Sequence, residues 1–169
     1  DNLGVSLVAA ITSLPFINVK DAPFFARGDG TSSATGTIDT ASIQSALTTA
    51  GAARTTIQVT DTPAAGAFMG TLPTVVFPAG IYDIDDELTI PTTICLDMRS
   101  GAIIRQTNAA KRIIVGTGAY KVLVLGGHFF QGTRHFDLRN ENVDTAQFQF
   151  HGTTFQKATD WSIYTEGTS

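Results

Sequence analysis

The side chains in this sequence best suited to do chemistry are carboxylates. Asp97, Asp160 and Glu166 stand within or beside short apolar runs. Two carboxyl groups flanking a glycosidic bond can cleave it, with retention at a separation of about 5–5.5 Å and with inversion at about 6.5–9.5 Å. The densest acidic group, Asp83, Asp85, Asp86 and Glu87, falls at a turn, where solvated charge is the ordinary explanation. Gln147, Gln149 and His151 offer polar groups to sugar hydroxyls, and Tyr164 offers a ring to sugar C–H faces. Strand alternation is what turns these groups outward. With Ile94, Leu96 and Met98 inside, Asp97 and Arg99 face out. With Phe148 and Phe150 inside, Gln147, Gln149 and His151 do, and an inward Ile163 leaves Tyr164 and Glu166 outside.

Other chemistries lack their local signatures. No nucleophile elbow, P-loop, metal-binding histidine pair or calcium loop is present, so neither a metal nor a cofactor is expected. The single cysteine, Cys95, can form no intrachain disulfide. With 15 acidic against 11 basic residues and a net charge of −4, the chain has no electrostatic footprint for a nucleic-acid partner. The apolar stretch from Leu3 to Val19 is interrupted by Ser6, Thr12, Ser13, Pro15 and Asn18, and no basic residue precedes it. It falls short of a membrane span and of a signal peptide, and reads as an amphipathic or buried lead-in. The first residue, Asp1, and the ending Gly167-Thr168-Ser169 just after a strand pattern read as the limits of a fragment or processed segment.

The elements that must position these groups are mostly strands. One helix is expected from about Thr40 to Ala50, with Asp39 as N-cap, Gly51 beyond its end, Ile43 and Leu47 on its buried side and Ile38 placed to staple onto Ile43. Thr55 to Thr60 reads as a short strand, and Asp61 to Pro73 as a surface loop. From Val75 onward, apolar runs too short for helices recur between Gly, Asn, Asp, Pro and Thr. They are Val75–Phe77, Ile81–Ile84, Leu88–Ile90, Ile94–Met98, Ala102–Arg105, Ile113–Val115, Val122–Leu125, Phe129–Phe130, Ala146–Phe150, Thr154–Phe155 and Trp161–Tyr164. The stretches 122–130 and 147–155 share a pattern of strand, small turn and aromatic at a separation of about 25 residues, as a coil of three short strands would give.

Three motifs occur in order: Val19-Lys20-Asp21 with Ala26-Arg27-Gly28-Asp29-Gly30; then Ile38-Asp39-Thr40-Ala41-Ser42-Ile43-Gln44-Ser45-Ala46-Leu47; then Val75-Val76-Phe77-Pro78-Ala79-Gly80-Ile81-Tyr82-Asp83-Ile84. They resemble the V-K-D-F-G-A-x-G-D-G, D-D-T-x-A-I-Q-x-A-L and V-x-F-P-x-G-x-Y-x-I segments of pectate-lyase-like β-helix proteins, the tailspikes of bacteriophages above all. The likeness spans about Val19 to Gly167. It departs from the pattern at Ala22-Pro23-Phe24-Phe25 and in the long link from Gly51 to Thr74.

The resemblance implies a mainly β fold, a right-handed parallel β-helix with an N-terminal capping α-helix. Residues 1–20 would form a lead-in or trimer neck, 21–74 the capping helix and loop region, and 75–169 the first coils. Gly28, Gly30 and Gly80 would be architectural, and Arg27-Gly28-Asp29 part of a turn and not an adhesive tripeptide. It further implies a segment of a homotrimeric tailspike or tail fibre, on the virion tail or baseplate and so extracellular, that recognises and depolymerises bacterial capsule or lipopolysaccharide. No membrane insertion is expected. Two other readings of the same fold stay open: a secreted monomeric polysaccharide lyase or hydrolase, and a non-catalytic adhesive β-helix. The family's catalytic residues differ between members, so the resemblance assigns none here.

Overall fold

The computed structural model describes residues 16–57, 72–91, 93–119, 121–140 and 147–167. Most of the expected lead-in, the end of the expected strand 55–60 from 58 on, and residues 61–71 of the expected loop 61–73 lie outside these residues. The described chain is mainly β, and every strand pair in it is parallel. The strands are β1 (Phe16–Asn18), β2 (Thr74–Val76), β3 (Gly80–Ile84), β4 (Leu88–Thr89), β5 (Thr93–Gln106), β6 (Ile114–Thr117), β7 (Lys121–Phe130), β8 (Arg134–Asn140), β9 (Gln147–His151), β10 (Thr154–Gln156) and β11 (Trp161–Gly167). Among the described residues one helix, α1 (Thr40–Ile57), follows the first turn region.

Apart from β1, which pairs with β2 across the helix and the long link (Phe16 with Thr74), pairing links each strand to one about 25 residues further on, and the paired strands fall into three rows. The first row runs β1, β2, the first half of β5, the first half of β7, then β9. The second runs β3, the second half of β5, the end of β7, then β10. The third is a separate four-stranded sheet in the order β4, β6, β8, β11. Rows one and two share one sheet because β5 and β7 turn the corner without breaking. Their register shifts between Met98 and Ile103, and at this corner Gly127, with φ +81, lies so close to Met98 that a Cβ would come within 2.6 Å of it. Two expected pairs of runs, 94–98 with 102–105 and 122–125 with 129–130, are thus each one bent strand.

The register explains the core. Ile17, Val75, Leu96, Val124 and Phe150 stack in one column through five successive strands. Tyr82, Ile104, Phe129 and Phe155 form a second column, and Leu88, Ile114, Phe136 and Ile163 a third. Each buried member contributes about 1.5–3 kcal/mol of apolar burial, and each is covered by the layers beside it and by the facing columns, as Phe129 and Phe136 are by one another. Accordingly Phe136 is fully buried whereas Ile163, in the last strand of its column, is 37% exposed.

At the other end α1 packs Ile43, Ala46, Leu47 and Ala50, all fully buried, toward β1, β2, β4 and β5. The Gln44 side chain accepts from the Thr89 amide at 2.7 Å and donates to the Thr89 carbonyl at 3.0 Å, so it satisfies the edge of β4 as a strand would.

Several local expectations are corrected. The helix passes through Gly51 to Ile57, so Gly51 is no C-cap and Thr55–Ile57 is no strand. A Cβ on Gly51 would stand 3.0 Å from Pro91, and close approach explains the glycine. Asp39 occupies the N-cap by backbone, its carbonyl accepting from Ile43, but its carboxylate holds the amides of Arg27 and Gly28 at 2.7 and 2.8 Å. Ile38 makes no staple: it is 41% exposed, and its backbone bridges to Asp83. Strand β8 escaped the sequence reading because Arg134-His135-Phe136-Asp137-Leu138-Arg139 is dominated by polar and charged residues.

Candidate functional site

The acidic turn is not simply solvated. Asp83 is fully buried and bound by Arg105 through Nε at 2.5 Å and Nη2 at 2.8 Å. Asp85 accepts from the Thr40 hydroxyl at 2.7 Å. Asp86 pairs with Lys111 at 2.9 Å, and Glu87 takes a bidentate bond from Arg112 at 2.8 Å through each nitrogen. The cations come from the next layer, and this is why the turn alone does not reveal them.

Arg112 continues upward to Asp137, 2.8 Å away and 25 positions on. Asp137 points outward from β8, yet its side chain is fully covered, because Arg112, Arg134 and Arg139 all converge on it. Burial pushes its carboxyl up, but the bonds from Arg139 and Arg112 outweigh that and hold it down at about 2. Arg134 also reaches Asp160 at 2.7 Å. Its guanidinium lies 4.2 Å from the centre of the Tyr164 ring, with that of Arg139 at 5.6 Å. A ladder of alternating charge therefore runs from Glu87 to Asp160 along the third row.

The residues expected from sequence divide between two faces. Asp97 points out from β5 and is clamped by Arg99 through Nε at 2.9 Å and Nη2 at 2.7 Å. The Arg99 hydrogen bond holds its pKa below the usual carboxylate range. Gln147, Gln149 and His151 are exposed on β9, and His151 lies in the same column as Asp97 with Leu125 between them. Tyr164 and Glu166 belong instead to the four-stranded sheet, with Asp160 immediately before β11. Tyr164 registers with Asp137, and the Glu166 backbone with that of Arg139.

The three catalytic candidates thus do not share one site: Asp97 stands apart from Asp160 and Glu166. A general acid working near neutral pH needs a raised pKa. Asp97, Glu87 and Asp137 are all held low by arginine, which suits them to holding structure rather than donating protons.

A concave feature lies elsewhere, on the second row. An open groove of about 390 Å³ has the loop Ser32–Thr35 as one wall and Arg105, Thr107, Phe130, Gln131 and Lys157 as the other. Arg105 fixes the loop from beneath, donating to the carbonyls of Thr31 at 2.7 Å and Ala34 at 2.8 Å. Asp83 accepts from the Gly36 amide at 2.6 Å and Asp29 from that of Thr37 at 2.6 Å. The glycine-rich motif is thereby architectural at Gly28 and Gly30 too, where a Cβ would press into Tyr82 and Asp83. Gln131 and Lys157 end equivalent strands one layer apart and both hold left-handed backbone, with φ of 64° and 60°. None of the site residues expected from sequence lines this groove.

Among the described residues no group of three or more His, Cys, Asp or Glu is placed to hold a metal ion, and no helix is long and apolar enough to cross a membrane. No family model, curated protein or solved structure matches the chain.

Proposed function

We propose that this chain is the capped opening of a right-handed parallel β-helix of the phage tailspike kind, and that it recognises bacterial surface polysaccharide, capsule or lipopolysaccharide. The architectural half is supported by the three rows of parallel strands repeating at about 25 residues and by α1 lying over the first layers. The functional half rests on one observation, the groove held open by Arg105. Its hydroxyls, amide, ring and cations are the groups that bind saccharides, and a wall fixed before binding spares the ligand the cost of ordering it.

Depolymerisation of the bound glycan belongs to the proposed intact homotrimeric spike on the virion tail. The arginine-clamped carboxylates favour a second reading for this segment itself, adhesion without cleavage. Incubating the full-length protein with purified capsule and lipopolysaccharide panels tests both. Retention of a glycan with new reducing or unsaturated ends supports the depolymerase, and retention without products supports the adhesin. Absence of binding to any panel member overturns recognition altogether. Light scattering on the intact protein should give three copies, and a stable monomer overturns the spike assignment.

A further inference from the structure

Resting on the reading of the groove as a saccharide site, we infer that its ligand is an acidic sugar residue, carrying carboxylate or phosphate, and that Lys157 is the group that selects it.

Charge is the first ground. The groove lining contains two cations, Arg105 and Lys157, and no carboxylate. Arg105 is matched by Asp83 directly beneath it, so the field it offers outward is largely cancelled. Lys157 makes no ion pair among the described residues, and its ammonium stands 4.9 Å from the centre of the Phe130 ring. One unmatched positive charge therefore faces the groove.

The ring is the second ground. Neutral sugars are commonly held by laying a C–H face on an open aromatic surface. Here the Lys157 ammonium stands over the Phe130 ring, 4.9 Å from its centre. A ligand laid on that ring therefore meets the ammonium as well. That arrangement favours an anion over a neutral pyranose.

Backbone conformation is the third. Lys157 holds φ 60° and Gln131 holds φ 64°, a region that costs non-glycine residues about 1–3 kcal/mol. Glycine would fill both positions without that cost, as it does at Gly126, Gly127 and Gly132 nearby. Long polar side chains kept at two stacked left-handed positions, both lining the same groove, are consistent with selection for what those side chains contact.

The test uses immobilised bacterial capsular polysaccharides and lipopolysaccharides, each presented native, carboxyl-reduced and dephosphorylated with aqueous hydrofluoric acid, against the intact protein and its Lys157→Met, Lys157→Arg and Lys157→Gly variants. Retention of acidic polymers is expected, with a loss of at least about tenfold after whichever treatment removes their charge. Lys157→Met and Lys157→Gly should each reproduce that loss on the native polymer and leave binding to the neutralised polymer unchanged, while Lys157→Arg restores most of it. Lys157→Gly should unfold at the same or higher denaturant than the parent, separating binding from stability. Equal binding of native and neutralised polymer, or full binding by Lys157→Met, overturns the acidic-sugar assignment while leaving polysaccharide recognition standing. Binding to no polymer in any form overturns recognition and this inference with it.

Discussion

At the residue scale the decisive group is Asp137, a carboxylate buried by three arginines. Its pKa is held at about 2 in the fold, below the ordinary 3.8. A depressed pKa means that its contribution is complete above the ordinary value and is lost as pH falls through about 2, a difference of order 2 kcal/mol. Urea unfolding of the parent and Asp137→Asn should therefore differ widely at about pH 6 and converge as pH approaches about 2. A gap that stays constant with pH would show that the arginines do not sense the charge. Lys111 and Arg112 are neighbours of equal charge with different work. Lys111 and Asp86 are both exposed, and exposed pairs contribute about 0–1 kcal/mol. Arg112 joins Glu87 to the buried Asp137; its loss removes two charge-assisted contacts but leaves Asp137 paired with Arg134 and Arg139, a cost of about 1–3 kcal/mol. Lys111→Ala should unfold with the parent while Arg112→Ala unfolds earlier. The spacing that carries these contacts is visible in the sequence: Glu87 to Arg112 and Arg112 to Asp137 are each 25 positions, the period of the aromatic pattern. Complementary charges at the repeat distance were the signal that a reading of the acidic turn in isolation passes over.

Elements were legible wherever apolar alternation was strong and a layer above or below agreed with it. Asp97, Gln147 and Tyr164 do point outward as alternation requires, but alternation does not tell which row a strand joins, so the residues expected to face outward are divided between two surfaces. The groove was illegible for a related reason. Ser33 and Lys157 are far apart in sequence and meet only because the layers stack, and Lys157 follows a strand in a turn where period-two reasoning does not reach. The helix was legible from its buried positions but not in its length, because Gly51 signals a stop in sequence and serves close packing on Pro91 in space. Its function as an element can be tested through Leu47, which is fully buried against the first strands. Leu47→Ala should cost about 2–5 kcal/mol and, because α1 covers the edge of the first layers, should raise aggregation on warming. Sedimentation before and after mild heating measures that second effect, and a destabilised but fully soluble variant would show that α1 contributes packing without protecting an edge.

For the whole molecule, the organisation by layers sets how stability is distributed. When each layer touches only its neighbours, opening proceeds from the layers held on one side. Among the described strands β9 and β10 pair only with β7, and β11 only with β8, whereas β5 and β7 are paired on both sides. The aromatic packing of Phe155 on Phe129, Phe136 and Phe150 ties the last layer down, yet Phe155 is only partly buried. Hydrogen exchange on the 169-residue chain should accordingly show a gradient, with β5, β6 and β7 protected to the global limit and β9 to β11 exchanging first. Phe155→Leu should accelerate exchange in β9 to β11 and leave β5 nearly untouched, since their packing is joined only through β7 and β8. Uniform loss of protection across all layers would mean that the chain unfolds as one cooperative body. The layers would then not be independent supports for the groove, and a lesion in the last layer would loosen its Ser32–Thr35 wall as much as its Lys157 side.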